Sequence, residues 1–419
     1  GQEKIKTPNI DHLAVEGIMF TQHYAGSTVC APSRVSLLTG KHMGHASVRG
    51  NPRWSSTGKP IDISTEEITV AEELKRAGYT NGIIGKWGLA EADLKSMPLN
   101  QGFDYFYGYR KHGTAHHYYP DILWENNNPF HPKGNDWQEK EGQYAHDSLT
   151  SKAIQFIEDN IDNPFFLYLA YTIPHYELTV PKESKKQYNK LGWKERKMKP
   201  GHYRHDENGH ITYAGMISRM DRDIGSILEL LEDKGLTENT LIIFTSDNGH
   251  EFDRGFFNSN GALKGKKRDL YEGGIRIPFI AHWKGTIEGG SVSNHISAFW
   301  DFLPTACEIV GIEPSTDTDG ISYLPTLLGK PQQAHDYLYW EFNEGKGPIQ
   351  AIRKDNWKAI KFYKKQIEFY NLDKDISEEN NLATSEPEKV AKFKLLFEQA
   401  REEYEYYPML PHKRIAHKF

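Results

Sequence analysis

Residues 147–170 read DSLTSKAIQFIEDNIDNPFFLYLA. Leu149, Ala153, Phe156 and Ile157 recur at helical spacing over 147–160, and Pro164 then opens a continuous apolar run over 165–170. A helix feeding a strand without polar alternation is what a parallel sheet covered on both faces produces. The same unit recurs on either side. Residues 65–77 carry Val70, Leu74 and Ala77, end at Gly78 as a C′ glycine, and lead into a short strand over 79–85. Residues 213–234 carry Ile217, Ile224, Ile227, Leu228 and Leu231 and lead past Gly235 to a strand over 241–245. Residues 278–283 read as another strand and 301–310 as a helix. After about Gly320 the texture changes to short aromatic-rich strands over 337–342, 349–353 and 357–363. A closing helix starts at Ser385, with Glu388 completing a capping box and Val390, Phe393, Phe397, Ala400 and Tyr404 as its apolar stripe. The expected fold is α/β: a large, mainly parallel sheet flanked by helices, then a small C-terminal antiparallel sheet with a helix. The expected division is 1–325 and 326–419.

The composition narrows the function. The 419 residues hold 51 Lys and Arg against 57 Asp and Glu, a net charge of −6. That balance excludes a broad basic surface for nucleic acid and argues against electrostatic docking on anionic membranes. No apolar run approaches the roughly 20 residues that span a bilayer. Hydrophobic content of 37%, with 12% aromatic residues, can build a core. Two cysteines, Cys30 and Cys307, exclude a disulfide scaffold and a four-cysteine zinc site, and leave the compartment open.

In doubly wound sheets, ligands bind beyond the carboxyl ends of the strands. The polar residues there are Lys86, His175 and the pair Asp247-Asn248. A lysine, a histidine and two hard oxygen ligands point to an anion-plus-metal site. Taken alone, Ser246-Asp247-Asn248-Gly249 reads first as an Asx-type turn closing a strand, and Cys30 as a buried structural thiol.

Cys30-Ala31-Pro32-Ser33-Arg34, continuing Val-Ser-Leu-Leu-Thr-Gly, resembles the maturation signature of type I, formylglycine-dependent sulfatases. Thr7-Pro8-Asn9-Ile10-Asp11, Gly85-Lys86-Trp87-Gly88, Ile173-Pro174-His175, Ser246-Asp247-Asn248-Gly249 and the loop Lys267 to Arg276 resemble further segments of that family. The pattern is closest to bacterial polysaccharide and arylsulfatase-like members. It implies an alkaline-phosphatase-like sandwich. It also implies that Cys30 becomes formylglycine through a formylglycine-generating or anaerobic maturation enzyme. The hydrated aldehyde would attack sulfur with one hydroxyl and expel sulfate with the other. Lys86, His175 and Lys267 would bind the sulfate and act in catalysis, and Arg34 would hold the hydrate. Asp247, Asn248 and Cys30 would ligate Ca2+, with Mg2+ as an alternative. The family's histidine after Gly-Lys-Trp is Gly88 here. His116 is the first candidate to replace it, with His117 second and a substrate-binding role open to it. Tyr118, Tyr119 and Trp124 suit stacking on sugar rings or a place in the core. The implied substrate is a sulfated glycan or other sulfate ester, galactose or N-acetylgalactosamine sulfate among them, in the periplasm or outside the cell.

The resemblance further implies a first strand ending in an Asp-Asp metal pair upstream of Thr7. No such pair precedes Cys30. Against the roughly six to eight oxygens Ca2+ takes, the expectation is a half-filled shell, a weakly held cation, an open slot in the sheet and low activity. A glycan binder with little or no turnover is therefore the alternative to an enzyme. A phosphohydrolase of the alkaline phosphatase superfamily ranks lower, because such enzymes use Ser or Thr and two clustered metals.

Overall fold

The computed structural model describes residues 2–52, 54–91, 94–136, 142–199, 203–345 and 347–411. In chain order it holds α1 (Pro8–Glu16), β1 (Ile18–Tyr24), α2 (Cys30–Thr39), α3 (Val70–Arg76), β2 (Thr80–Lys86), β3 (Tyr105–Tyr109), β4 (Leu123–Glu125) and β5 (Asn128–Phe130). Then come α4 (Ala145–Asp159), β6 (Phe165–Ala170), α5 (Lys182–Lys185), α6 (Gly209–Asp233), β7 (Ile242–Thr245), α7 (Arg254–Phe257), α8 (Glu272–Ile275) and β8 (Arg276–His282). The remainder is β9 (Ser291–Ser293), β10 (Ser297–Ala298), α9 (Phe302–Ile309), α10 (Leu324–Leu327), β11 (Leu338–Phe342), β12 (Ile349–Lys354), β13 (Trp357–Phe362), β14 (Glu368–Asn371) and α11 (Pro387–Gln399).

The fold is α/β, with mixed sheets flanked by helices and a small antiparallel sheet beside them. The large layer is hydrogen-bonded as two five-stranded sheets. One runs β5-β4-β3-β2-β6; the other runs β10-β1-β8-β7, with β9 also on β1. β2 pairs in parallel with both β3 and β6. β8 runs antiparallel to β1 and β7. Among the described residues β6 and β7 each pair along one edge, and both are half-buried. Val35, Leu38, Leu74, Ile83, Leu303 and Cys307 form one core under α2, α3 and α9. Ile84, Tyr107, Leu149, Ala153 and Phe156 form another beneath α4. Cys307 is buried and unpaired, and burial pushes its thiol up to about 11.

Two helix starts differ from the sequence expectation. α3 begins at Val70, not near 65, because Thr69 and Glu72 exchange a reciprocal capping box. α11 begins at Pro387, where proline's fixed φ suits a first helical position. Ser385 donates its hydroxyl to the Leu382 carbonyl instead of capping, and Tyr404 lies past the helix end. Val390, Phe393, Phe397 and Ala400 do pack on the four-stranded sheet of β11 to β14.

That sheet is locked to the rest by buried charge. Lys358 on β13 lies 2.9 Å from Glu272 Oε1 and 2.9 Å from Glu378 Oε1, with all three side chains fully buried. Glu272 also accepts from the Tyr24 hydroxyl and pairs with Arg276. Removing one partner of such a group strands the others in low dielectric. We expect Lys358→Met to lower unfolding free energy by about 3–5 kcal/mol in urea titration; a loss below about 1 kcal/mol would contradict this.

Candidate active site

Cys30 is the first residue of α2 and is 5% exposed. The next amide, Ala31 N–H, donates to Asn51 Oδ1 at 3.2 Å, and Asn51 N–H donates to Glu344 Oε1 at 2.7 Å. Ser33 Oγ accepts from Gly26 N–H at 3.1 Å. Arg34 turns under the helix. Its Nε donates to the Trp87 carbonyl at 3.3 Å, its Nη2 donates to the Lys86 carbonyl, and its guanidinium lies over Tyr168. Arg34 thus ties the end of β2 to the first turn of α2 through two backbone acceptors.

Lys86 ends β2 and is buried. Burial lowers its pKa; Arg34 and Lys267 act in the same direction, while Cys30 and Asp247 oppose them. Lys267 is equally buried. Its N–H donates to the His250 carbonyl at 3.0 Å, and its Nζ sits 3.0 Å from Glu251 Oε2. Burial works against the Lys267 charge, but Cys30, Glu251 and Asp247 outweigh it and raise its pKa. Arg268 shares Glu251 at 2.8 Å, and its N–H donates to Thr28 Oγ1 at 2.9 Å. The loop carrying Lys267 is thereby laced to the segment just before Cys30. The nearby Lys264 faces elsewhere: it lies over Tyr271 and donates to the Glu378 carbonyl.

The histidines form a stack. The His116 ring lies 4.0 Å from that of His175 and is nearly parallel to it. Tyr203 Oη is 3.4 Å from His116 Nδ1. Burial, then Lys267, His116 and Lys86, hold the His175 pKa well below its ordinary value, so the ring is neutral. His117 is turned away, its Nδ1 2.7 Å from Glu177 Oε2. Sequence reasoning passed over His112, which is buried and edge-on to His116 with centroids 4.9 Å apart. Its Lys-His-Gly context carries no signal; only the return of the chain reveals it. Tyr118 and Tyr119 are core residues, and Trp124 is covered by Arg110 at 3.7 Å, so these rings form no open sugar platform.

Asp247 and Asn248 follow β7. Gly249 holds this turn against α8: its N–H donates to the Gly274 carbonyl at 3.0 Å, and a Cβ there would meet the Gly273 oxygen at 2.0 Å. Asn248 Nδ2 donates to the Gly249 carbonyl, while Asn248 Oδ1 is buried with no hydrogen-bond partner among the described residues. An orphaned amide oxygen beside a carboxylate fits a hard divalent cation.

His42, His45 and Asp319 make a second compact group of potential ligands. It lies past the far end of α2 from Cys30, about 15 Å along the helix. Gly44 N–H donates to His42 Nδ1, which places the ring proton on Nε2, facing Asp319 at 3.7 Å. His45 Nδ1 is 2.8 Å from the same carboxylate, and His42 N–H donates to it at 2.9 Å. These bonds account for the group as a clamp between the loop after α2 and the Asp319 loop.

The profile named Sulfatase matches residues 1–312, and that of the N-sulphoglucosamine sulphohydrolase C-terminal region matches 265–403. The chain belongs to the sulfatase family. The N-acetylgalactosamine-6-sulfatase of Mus musculus is 30% identical over 386 residues, covering 86% of this chain and 68% of its own. The uncharacterized sulfatase YdeN of Escherichia coli is 32% identical over 363 residues, covering 80% and 59%. The chain thus spans about three-fifths to two-thirds of the length of these relatives. The crystal structure of Ps i-CgsB in complex with k-i-k-neocarrahexaose superposes with a TM-score of 0.83 at 26% identity, covering 98% of this chain and 90% of that one. Sulfatases generally work with a metal ion and a formylglycine. Among the described residues of this sulfatase, no helix is long and apolar enough to cross a membrane.

Lysine cannot reproduce the two-carbonyl fork of Arg34. We expect Arg34→Lys to destabilise this sulfatase by about 1–3 kcal/mol in chemical denaturation, since buried carbonyls lose donors; an unchanged midpoint would contradict the clamp.

Proposed function

We propose that this chain hydrolyses a sulfate monoester on a carbohydrate at the site around Cys30. One observation carries the reading: Cys30 at the start of α2, Lys86 at the end of β2, Asp247 just after β7 and Lys267 in the loop before α8 are electrostatic neighbours. Formylglycine made from Cys30 would supply, once hydrated, both the attacking oxygen and an internal route for sulfate release. Asp247, Asn248 and the Cys30 position would hold the divalent cation, Ca2+ or Mg2+, which neutralises charge on the sulfate.

The chain's own groups do the rest. The ammoniums of Lys86 and Lys267 bind the non-bridging oxygens and stabilise charge that shifts during S–O cleavage. Neutral His175 donates a hydrogen bond, with His116 stacked behind it to fix its plane. A sugar alkoxide leaves poorly unless protonated. The acid at hand is the Lys86 ammonium, whose pKa burial lowers from its ordinary value. Arg34 positions Lys86 through the backbone. Glu251 orients Lys267 and Arg268. Maturation by a formylglycine-forming enzyme, and residence in the periplasm or outside the cell, complete the proposal.

The relatives' names support a sulfated amino sugar or a carrageenan-type oligosaccharide as the substrate class. We expect the matured protein to release sulfate from one or more members of a panel of galactose and N-acetylgalactosamine sulfates. Lys267→Met should lower kcat/KM by about 100-fold or more with the fold intact. Faster turnover of the matching phosphate monoesters, or no effect of Lys267→Met, would overturn the assignment. Asp247→Asn should weaken Ca2+ binding about tenfold or more in calorimetry; equal affinity would place the cation elsewhere.

A further inference from the structure

His112 lies in the loop after β3, and the surrounding backbone brings it to the site. Trp87 N–H donates to the Tyr109 carbonyl at 2.9 Å, and Gly88 N–H to the Arg110 carbonyl at 3.1 Å. The turn after Lys86 therefore runs alongside the turn that leads to His112. His112 N–H is fixed by Glu91 Oε1 at 2.6 Å. The ring is 9% exposed, and its Nδ1 is buried with no hydrogen-bond partner among the described residues. The ring meets that of His116 at a near right angle, with centroids 4.9 Å apart.

A buried imidazole nitrogen without a partner carries a desolvation cost that native structures rarely leave unrelieved. Its surroundings state what would relieve it. Lys86, His116, Lys267 and Arg34 are its charged or titratable neighbours, and the Glu91 carboxylate beside it is engaged by the His112 backbone N–H. Burial and these cations keep the ring neutral. A neutral ring beside two ammoniums adds no charge but offers one N–H donor. Gly88 explains why this side is open. Its φ is +66°, and a Cβ would meet Lys86 Cε at 2.8 Å, so residue 88 extends no group of its own over the lysine.

We propose that His112 is a further sulfate-binding residue, donating one neutral hydrogen bond to an oxygen of the anion held by Lys86 and Lys267. This inference rests on the sulfate-ester reading of the site. A ligand oxygen satisfies the nitrogen that the protein leaves bare, and the ring completes a wall of three imidazoles on one side of the anion.

The test uses inorganic sulfate as the probe, titrated against the full chain by calorimetry at constant ionic strength with chloride as control. Losing one neutral hydrogen bond is worth about 1.4 kcal/mol, so His112→Ala should bind sulfate about tenfold more weakly. His112→Asn, which keeps an N–H donor, should recover part of that affinity. Equal thermal midpoints for the two variants would separate this rescue from a change in folding. Unchanged sulfate affinity in a folded His112→Ala protein, or equal losses in the Ala and Asn variants, would overturn the inference while leaving the site reading intact. Failure of the unmutated chain to bind sulfate at all would overturn both.

Discussion

Lys86 and Lys267 bring two ammonium groups into one water-poor space, and the rest of the site is arranged around that repulsion. Stripping water from a lysine costs several kcal/mol unless a counter-charge is supplied. Lys267 has Glu251 at 3.0 Å. Lys86 forms no ion pair among the described residues; it has Asp247 and Cys30 as favourable neighbours and Arg34 and Lys267 as unfavourable ones. The protein holds this arrangement by backbone means. Arg34 spends its guanidinium on the Lys86 and Trp87 carbonyls, and Arg268 is anchored at Thr28. A doubly coordinated anion is the natural complement. Asn248 Oδ1, buried without a hydrogen-bond partner among the described residues, and the adjacent Asp247 carboxylate have the chemistry that suits a cation instead.

The four-stranded sheet is part of this device. Lys358 on β13 neutralises Glu272 at the start of α8, the same turn that receives Gly249 and follows the Lys267 loop. Lys264 reaches the Glu378 carbonyl from that loop. Just after β11, Glu344 holds Asn51, and Asn51 holds the Ala31 amide beside Cys30. Burial pushes Glu344 up to about 7, with the Asn51 amide, Arg268 and Lys267 pulling the other way. Loosening the sheet would therefore release both the turn at Cys30 and the Lys267 loop.

The α/β order was legible because α4–β6 and α6–β7 have clean helical periods followed by unbroken apolar runs. The strand-end rule located Lys86, His175 and Asp247 from local pattern alone. Helix starts at α3 and α11 were less legible, because a capping box at Thr69 and a proline at 387 decide them within a few residues. The antiparallel course of β8 and the split of the large layer into two sheets depend on long-range pairing that no local period encodes. His112 was invisible for the same reason: its role depends on the 86–88 turn lying against residues 109–110. His116 and His117 are adjacent in sequence, and only Glu177 shows which one faces the stack.

The most direct measurement is a crystal structure of the matured chain with inorganic sulfate. The account predicts the anion between Lys86 and Lys267, within hydrogen-bonding reach of His175 and next to the residue derived from Cys30. Sulfate bound elsewhere, with the two ammoniums turned apart, would contradict it.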